Sequence, residues 1–261
     1  DHRNYAGTFI KKSGAVQWGE AAKADFYAIY PQREGNYEIK TASGYSATNA
    51  TFELNMPASQ TCVVAGTTPV MTTADMNACF MYAKTADVAN GTTPVDLEFN
   101  PLSTAIRFTL QGPDTQGQTI SVSRIRLIGP TGAALTGKFN VDLTSGTPVV
   151  TAAGNNSNIV TVYARYENQA YLQLAYGQTI ELNAFIIPLS GMKIDGNWKL
   201  EVSLANGKQV TKTLTKANES DNTNLLAGYI HRLGTMPKLP VDIDITKWLE
   251  FIPRNVYLSE I

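Results

Sequence analysis

Trp198-Lys199-Leu200-Glu201-Val202-Ser203-Leu204-Ala205-Asn206-Gly207-Lys208-Gln209-Val210-Thr211-Lys212-Thr213-Leu214 decides the fold class. Apolar and polar residues alternate on both sides of Asn206-Gly207, and alternation with period two is the signature of a half-buried strand. Trp198, Leu200, Val202 and Leu204 share one face, which is assigned to a core. Asn206-Gly207 is read as a type I′ turn, whose positive φ angles match the twist of the flanking strands.

The same pattern recurs outward from this hairpin. Thr179–Pro188 is the longest clean strand, and Tyr229–Leu233 closes the β region. Upstream lie Ala24–Pro31, Thr51–Pro57, Cys62–Ala65, Cys79–Ala83, Val95–Phe99, Ala105–Leu110, Lys138–Leu143 and Ile159–Tyr163. In Thr119–Ile128 the apolar side switches between Ser123 and Ile125, which predicts a β-bulge there. Thr73–Asn77 is read as a turn or one helical turn. About a dozen short strands are too many for one small sandwich. The expected fold is all-β, with two antiparallel β-sandwich domains in series. The boundary is placed at Asn90-Gly91-Thr92-Thr93-Pro94, giving an N-terminal domain over 1–92, a C-terminal domain over 93–240, and a tail or linker over 241–261. Within the tail, Ile245–Pro253 is read as a short helix with Trp248, Phe251 and Ile252 on one face. Val241, Ile243 and Ile245 alternate with Asp242 and Asp244, as in a half-buried strand.

Composition narrows the function classes. The 261 residues carry 21 Lys plus Arg against 22 Asp plus Glu, a net charge of −1. Such a chain has no electrostatic reason to seek nucleic acid or an anionic membrane. Charged residues make up 16% and hydrophobic ones 43%, ample for a core. No segment approaches the ~20 apolar residues of a membrane span.

Candidate chemistry is sparse. The two histidines, His2 and His231, leave little for histidine catalysis or a metal site. His231 is read as structural. Cys62 and Cys79 allow at most one disulfide; the favoured reading is two buried free thiols on neighbouring strands. Gly129-Pro130-Thr131-Gly132 lacks the Lys-Ser/Thr of a phosphate loop and is read as a turn. Asp221, Asp242 and Asp244 lack the remaining oxygen ligands of a calcium loop. Glu98, Glu181 and Glu201 occupy outward strand positions, and no acid–base pair follows from that. Tyr163, Tyr166, Tyr171 and Tyr176 crowd one region, either as packing or as an aromatic platform for sugars. No catalytic, cofactor-binding or metal-binding residue is assigned, and no cofactor is expected.

Several segments resemble a known family when taken in order. Trp18 followed by Ala24–Pro31 is similar to the "W…FYAYYP" segment of fimbrillin-like proteins, the type V pilus subunits and Bacteroides-type cell adhesion proteins. Phe80–Ala83 followed by Val95–Phe108, Ala184–Pro188, and Leu226–Leu233 resemble further motifs of that family, with Asn100-Pro101 where a His is common. The resemblance implies transthyretin-like sandwiches and no enzymatic activity. It also implies secretion as a lipoprotein, a cell-surface location anchored at the outer membrane or in a fimbria, and assembly with other pilin subunits by strand exchange. Host or bacterial surface glycans or proteins are the implied ligands. In that family an N-terminal strand is trimmed and a neighbour's strand fills the groove. A start at Asp1 fits a chain lacking that strand, and a groove lined by the Phe26–Tyr30 strand is then expected. Thr246–Ile261 resembles the start of phosphatidylinositol-specific phospholipase C domains. The alternative is therefore the β-sandwich front module of a secreted phospholipase C-like or glycan-binding surface lipoprotein.

Overall fold

The computed structural model describes residues 20–31, 37–39, 50–64, 72–166, 169–214 and 224–241. The readings for Trp18, Asp221, Asp242, Asp244, the helix at 245–253 and the N-terminal residues lie outside them. In chain order the strands are β1 Lys23–Tyr30, β2 Tyr37–Ile39, β3 Thr51–Met56, β4 Ser59–Val64, β5 Thr72–Thr73, β6 Met81–Ala89, β7 Asn100–Pro101, β8 Thr104–Gln111 and β9 Thr119–Ile128. They continue as β10 Thr136–Asp142, β11 Val149–Ser157, β12 Ile159–Tyr166, β13 Leu172–Ala175, β14 Thr179–Ile186, β15 Trp198–Leu204, β16 Gln209–Leu214 and β17 Ile230–Thr235. One turn of 3-10 helix, Met76–Ala78, is capped by the Asp75 carboxylate.

These strands form two β-sandwiches. In the first, the sheet β1-β6-β7 faces the sheet β11-β10-β3-β2. Phe52, Leu54, Met56, Phe139 and Val141 fill its core from one side, and Tyr27, Ile29 and Tyr82 pack on it from the other. In the second, the sheet β16-β15-β9-β12-β4-β5, with β13 also on β9, faces the sheet β14-β8-β17. Its core includes Ile106, Phe108, Leu110, Ile125, Leu127, Leu182 and the buried Trp198.

The sandwiches do not follow one another along the chain. β10 pairs with β3, with Phe139 opposite Leu54, so residues beyond 130 complete the first sandwich. β4 pairs with β12, with Cys62 opposite Ala164, so residues before 65 complete the second. A cut between 92 and 93 would divide both cores, and the boundary expected there is corrected accordingly. Alternation marks each strand but says nothing of its partner, which is why the pattern reads as two units in series. The β12–β4 and β17–β8 ladders are parallel, not antiparallel as expected. A parallel pair needs a long crossover, and the excursion through the first sandwich supplies the one before β12.

Local readings fare unevenly. The bulge in β9 is present: Ser203 pairs with Arg124 and Leu204 with Val122, which leaves Ser123 over. The 198–214 hairpin is present, but its turn differs. Gly207 N–H donates to Leu204 O at 3.0 Å, and Gly207, not Asn206, has the positive φ, +87°. This is a turn centred on Ala205-Asn206 followed by a left-handed glycine, the longer of the common hairpin loops. Val95–Phe99 alternates between half-buried and exposed but joins no ladder; alternation there reports burial without pairing. Cys62 sits in the second core and Cys79 packs on the first. They are free thiols, and neighbouring strands do not hold them.

A buried amide couples the two halves. Gln60 of β4 is 1% exposed. Its Nε2 donates to Phe185 O at 2.7 Å, and its Oε1 accepts from Phe185 N at 2.8 Å. Phe185 faces the first core while its neighbours Ala184 and Ile186 face the second. Two residues back along β14, Cys62 Sγ donates to Asn183 O at 3.4 Å, and Thr72 Oγ1 donates to Glu181 O at 3.0 Å. Side chains of β4 and β5 thus satisfy successive outward carbonyls of an edge strand, where a ladder would otherwise be required.

Two substitutions test these features. Gly207→Val should lower stability by about 1 kcal/mol or more, because a β-branched residue resists a left-handed φ; a thermal melt reads it. Gln60→Leu keeps the volume and strands both polar groups of Phe185, at a cost of roughly 2–4 kcal/mol, measured by urea unfolding.

Candidate functional site

Of the carboxylates that sequence reading singled out, Glu181 and Glu201 are engaged separately. Glu181 of β14 meets Arg107 at 3.4 Å and Arg232 at 3.2 Å. Arg107 Nε also donates to Asn183 Oδ1 at 2.9 Å. This polar ladder crosses β14, β8 and β17 and holds β17 at the end of its sheet. Glu201 accepts from Arg126 Nε at 2.8 Å. Glu98 is exposed. His231 Nε2 accepts from Leu226 N at 3.3 Å, and its ring lies 6.3 Å from that of Tyr229. Among the described residues no three His, Cys, Asp or Glu side chains converge to hold a metal. Burial pushes the thiols of Cys62 and Cys79 up, so both stay protonated and poorly nucleophilic near neutral pH. Gly129–Gly132 forms a turn, with Ala133 N–H donating to Pro130 O at 3.0 Å.

A shallow cleft of about 420 Å³ opens between that turn and the 189–198 segment. Trp198 reaches it from the core, and its indole Nε1 donates to Lys193 O at 2.9 Å, so the indole is fixed in packing. Ser190, Lys193 and Asp195 also line the cleft, and Asp195 Oδ1 accepts from Asn197 N at 3.0 Å.

What the fold exposes is sheet edges and sheet faces. The β14 edge is closed by Gln60, Cys62 and Thr72. Lys212 Nζ on β16 donates to Thr235 O on β17 at 2.8 Å, which draws the far edges of the second sandwich together. Near the start of β17 the surface stays apolar: Leu226, Tyr229 and Ile230 are all exposed. Core-facing side chains on end strands are half-buried in both sandwiches, Val210 on β16 of the second among them. Along β1, at the end of its described sheet, the core-facing Tyr27 and Ile29 are only half-buried, whereas the facing Leu54 and Phe139 are fully buried.

The four tyrosines separate by role. Tyr166 packs on the second core. Tyr163, Tyr171 and Tyr176 are exposed. Tyr163 and Tyr171 flank β9 near its bulge, while Tyr176 sits in the turn at the far end of β13. The sequence grouped them by proximity along the chain, and the sheet register sorts them.

No family model and no curated protein matches the sequence. Solved structures similar to the chain include a candidate cell adhesion protein of Bacteroides uniformis, at 15% identity over 86% of this chain and 72% of that one, with a TM-score of 0.47. Another is a candidate cell adhesion protein of Bacteroides ovatus, at 14% identity over 87% and 88%, with a TM-score of 0.40. A fimbrial protein of Bacteroides vulgatus shares 13% identity over 79% and 68%, with a TM-score of 0.37.

Proposed function

We propose that this chain is a non-catalytic surface protein of the adhesion or fimbrial type, a subunit that assembles with its own kind by β-strand addition. The observation that carries the reading is the contrast between the end strand β14, whose outward groups are answered by side chains, and the end strand β1, whose core-facing residues are half-buried. The second sandwich is sealed along the β14 edge by side chains and drawn together at β16 and β17. In the first, Tyr27 and Ile29 of β1 leave apolar surface half-covered. A strand laid along such a sheet adds backbone hydrogen bonds and places alternate side chains over that surface. The sequence motifs that resemble fimbrillins fall on β1, β6, β8, β14 and the start of β17, strands that line or border both cores. The tail after Pro240 is the proposed donor. Export as a lipoprotein and display at the outer membrane or in a fimbria belong to the same reading.

The test is polymerisation of the purified chain, followed by light scattering and by electron microscopy. The full chain should form multimers that survive mild detergent, and a chain lacking residues 241–261 should remain monomeric. A full chain that stays monomeric at high concentration would overturn assembly by its own strands.

A further inference from the structure

The outer face of the seven-stranded sheet carries a group of side chains that neither the cores nor the edges use. Val122, Ile125, Val162 and Leu172 point into the second core. Val162 pairs with Ile125, and Leu172 with Val122. Their neighbours Arg124, Tyr163 and Tyr171 therefore lie on the opposite face, side by side across β9, β12 and the start of β13. The bulge at Ser123 brings this about, because it puts two consecutive residues, Ser123 and Arg124, on the outer side.

Arg124 has no carboxylate partner among the described residues. Its Nη2 lies 3.4 Å from Ser203 Oγ, and its Nε is buried with no hydrogen-bond partner. The one carboxylate in the neighbouring strand, Glu201, is taken by Arg126. Arg165, two positions along β12 from Tyr163, is exposed. Across the strands of this face stand Arg124, Arg126, Arg165 and Lys199 against Glu201. Asp75, at the sheet's margin, is engaged by the backbone N–H groups of Thr61 and Asn77. Tyr163 and Tyr171 are 41% and 44% exposed. The rest of the face near them is uncharged: Thr161, Gln173 and Gln209.

We propose that this face binds a saccharide bearing a carboxylate. The acid group sits between the Nη end of Arg124, whose Nε is buried, and the exposed guanidinium of Arg165, taking charge-assisted hydrogen bonds from each. The sugar ring lies against Tyr163 and Tyr171, each offering a flat apolar surface and a polar tip. The amides and hydroxyls around them serve the sugar's hydroxyls. A peptide is disfavoured here, because the strands in the middle of the sheet present no free backbone edge for one to join. The site stands apart from assembly, since a monomer carries all of it.

The test is calorimetric titration of the full chain with sialyllactose and with trigalacturonate. Lactose and a glutamate-rich peptide serve as the uncharged and non-sugar comparisons. At least one acidic sugar should bind with a Kd of about 1 mM or tighter, lactose about tenfold more weakly, and the peptide no better than lactose. Arg124→Gln and Tyr163→Ala should each weaken the acidic sugar about tenfold, and Lys23→Gln on the other sandwich should leave it unchanged. Should Arg124→Gln fail to fold, Arg165→Gln and Tyr163→Ala at exposed positions decide the matter. No binding of either acidic sugar, equal binding of lactose, equal binding of the peptide, or binding indifferent to Tyr163 would each overturn the proposal.

Discussion

A glutamine amide buried between two cores is the constraint on which the arrangement depends. Every strand at the end of a sheet leaves a row of amides and carbonyls that burial makes costly. β14 lies in such a position, inside the molecule and against β4 and β5. A further strand would solve the problem by pairing. Here Gln60 does so with one side chain, because a primary amide carries the same donor and acceptor as a peptide group. Its two bonds to Phe185 reproduce one rung of a ladder, and Cys62 and Thr72 supply the next two carbonyls with single donors. The solution works only if β4 lies in the second sandwich, so it is tied to the crossing of the chain at Pro57-Ala58.

That crossing makes the two sandwiches one cooperative object. Phe185 opposes Ala105, and both face the first core from the back of a sheet whose front closes the second. The first sandwich thus rests on the end of β8 and β14, and the second takes β4 and β5 from the chain that has just built the first. Most contacts join residues far apart in sequence, a topology that delays the reward for each loop closure until late in folding.

The sequence announces what depends on local chemistry and hides what depends on partners. The 198–214 hairpin, the bulge in β9 and the helical turn at Met76–Ala78 all follow from nearby residues, and each is legible. β11 is not. Val149–Ser157 contains Gly154-Asn155-Asn156, which reads as a turn, and Gly154 and Asn155 do have positive φ. The strand persists because Asn156 Nδ2 bonds to Thr136 O and Lys138 O, bridging the irregularity in its ladder with β10. β13 is four residues long and takes its place from β9, too short for a period to show. Gln60 lies before the strand that the sequence pattern marks at Cys62–Ala65, and β4 in fact begins at Ser59. Only the fold could reveal that Phe185, 125 residues away, was what Gln60 answered. The tyrosine group was visible in sequence, but only register separates Tyr163 and Tyr171 from Tyr166.

Edges and faces of a sheet offer different chemistry, and this molecule keeps them apart. An edge recognises backbone and accepts any extended chain of the right side-chain alternation, so it suits self-assembly. A face recognises by side chains, so it suits a ligand of particular shape and charge. On the second sandwich the β14 edge is sealed and β16 and β17 are drawn together, while the outer face around Arg124 holds charge that no carboxylate among the described residues answers. On the first, the half-covered apolar residues of β1 lie beneath the edge itself. Assembly through the first sandwich would therefore leave the outer face of the second unobstructed. Each added subunit would repeat that face along a fibre, and repetition raises the effective strength of individually weak contacts by linking them. The proposed sugar site on each subunit and the proposed acceptor edge would together supply the two components that adhesion by many small contacts requires.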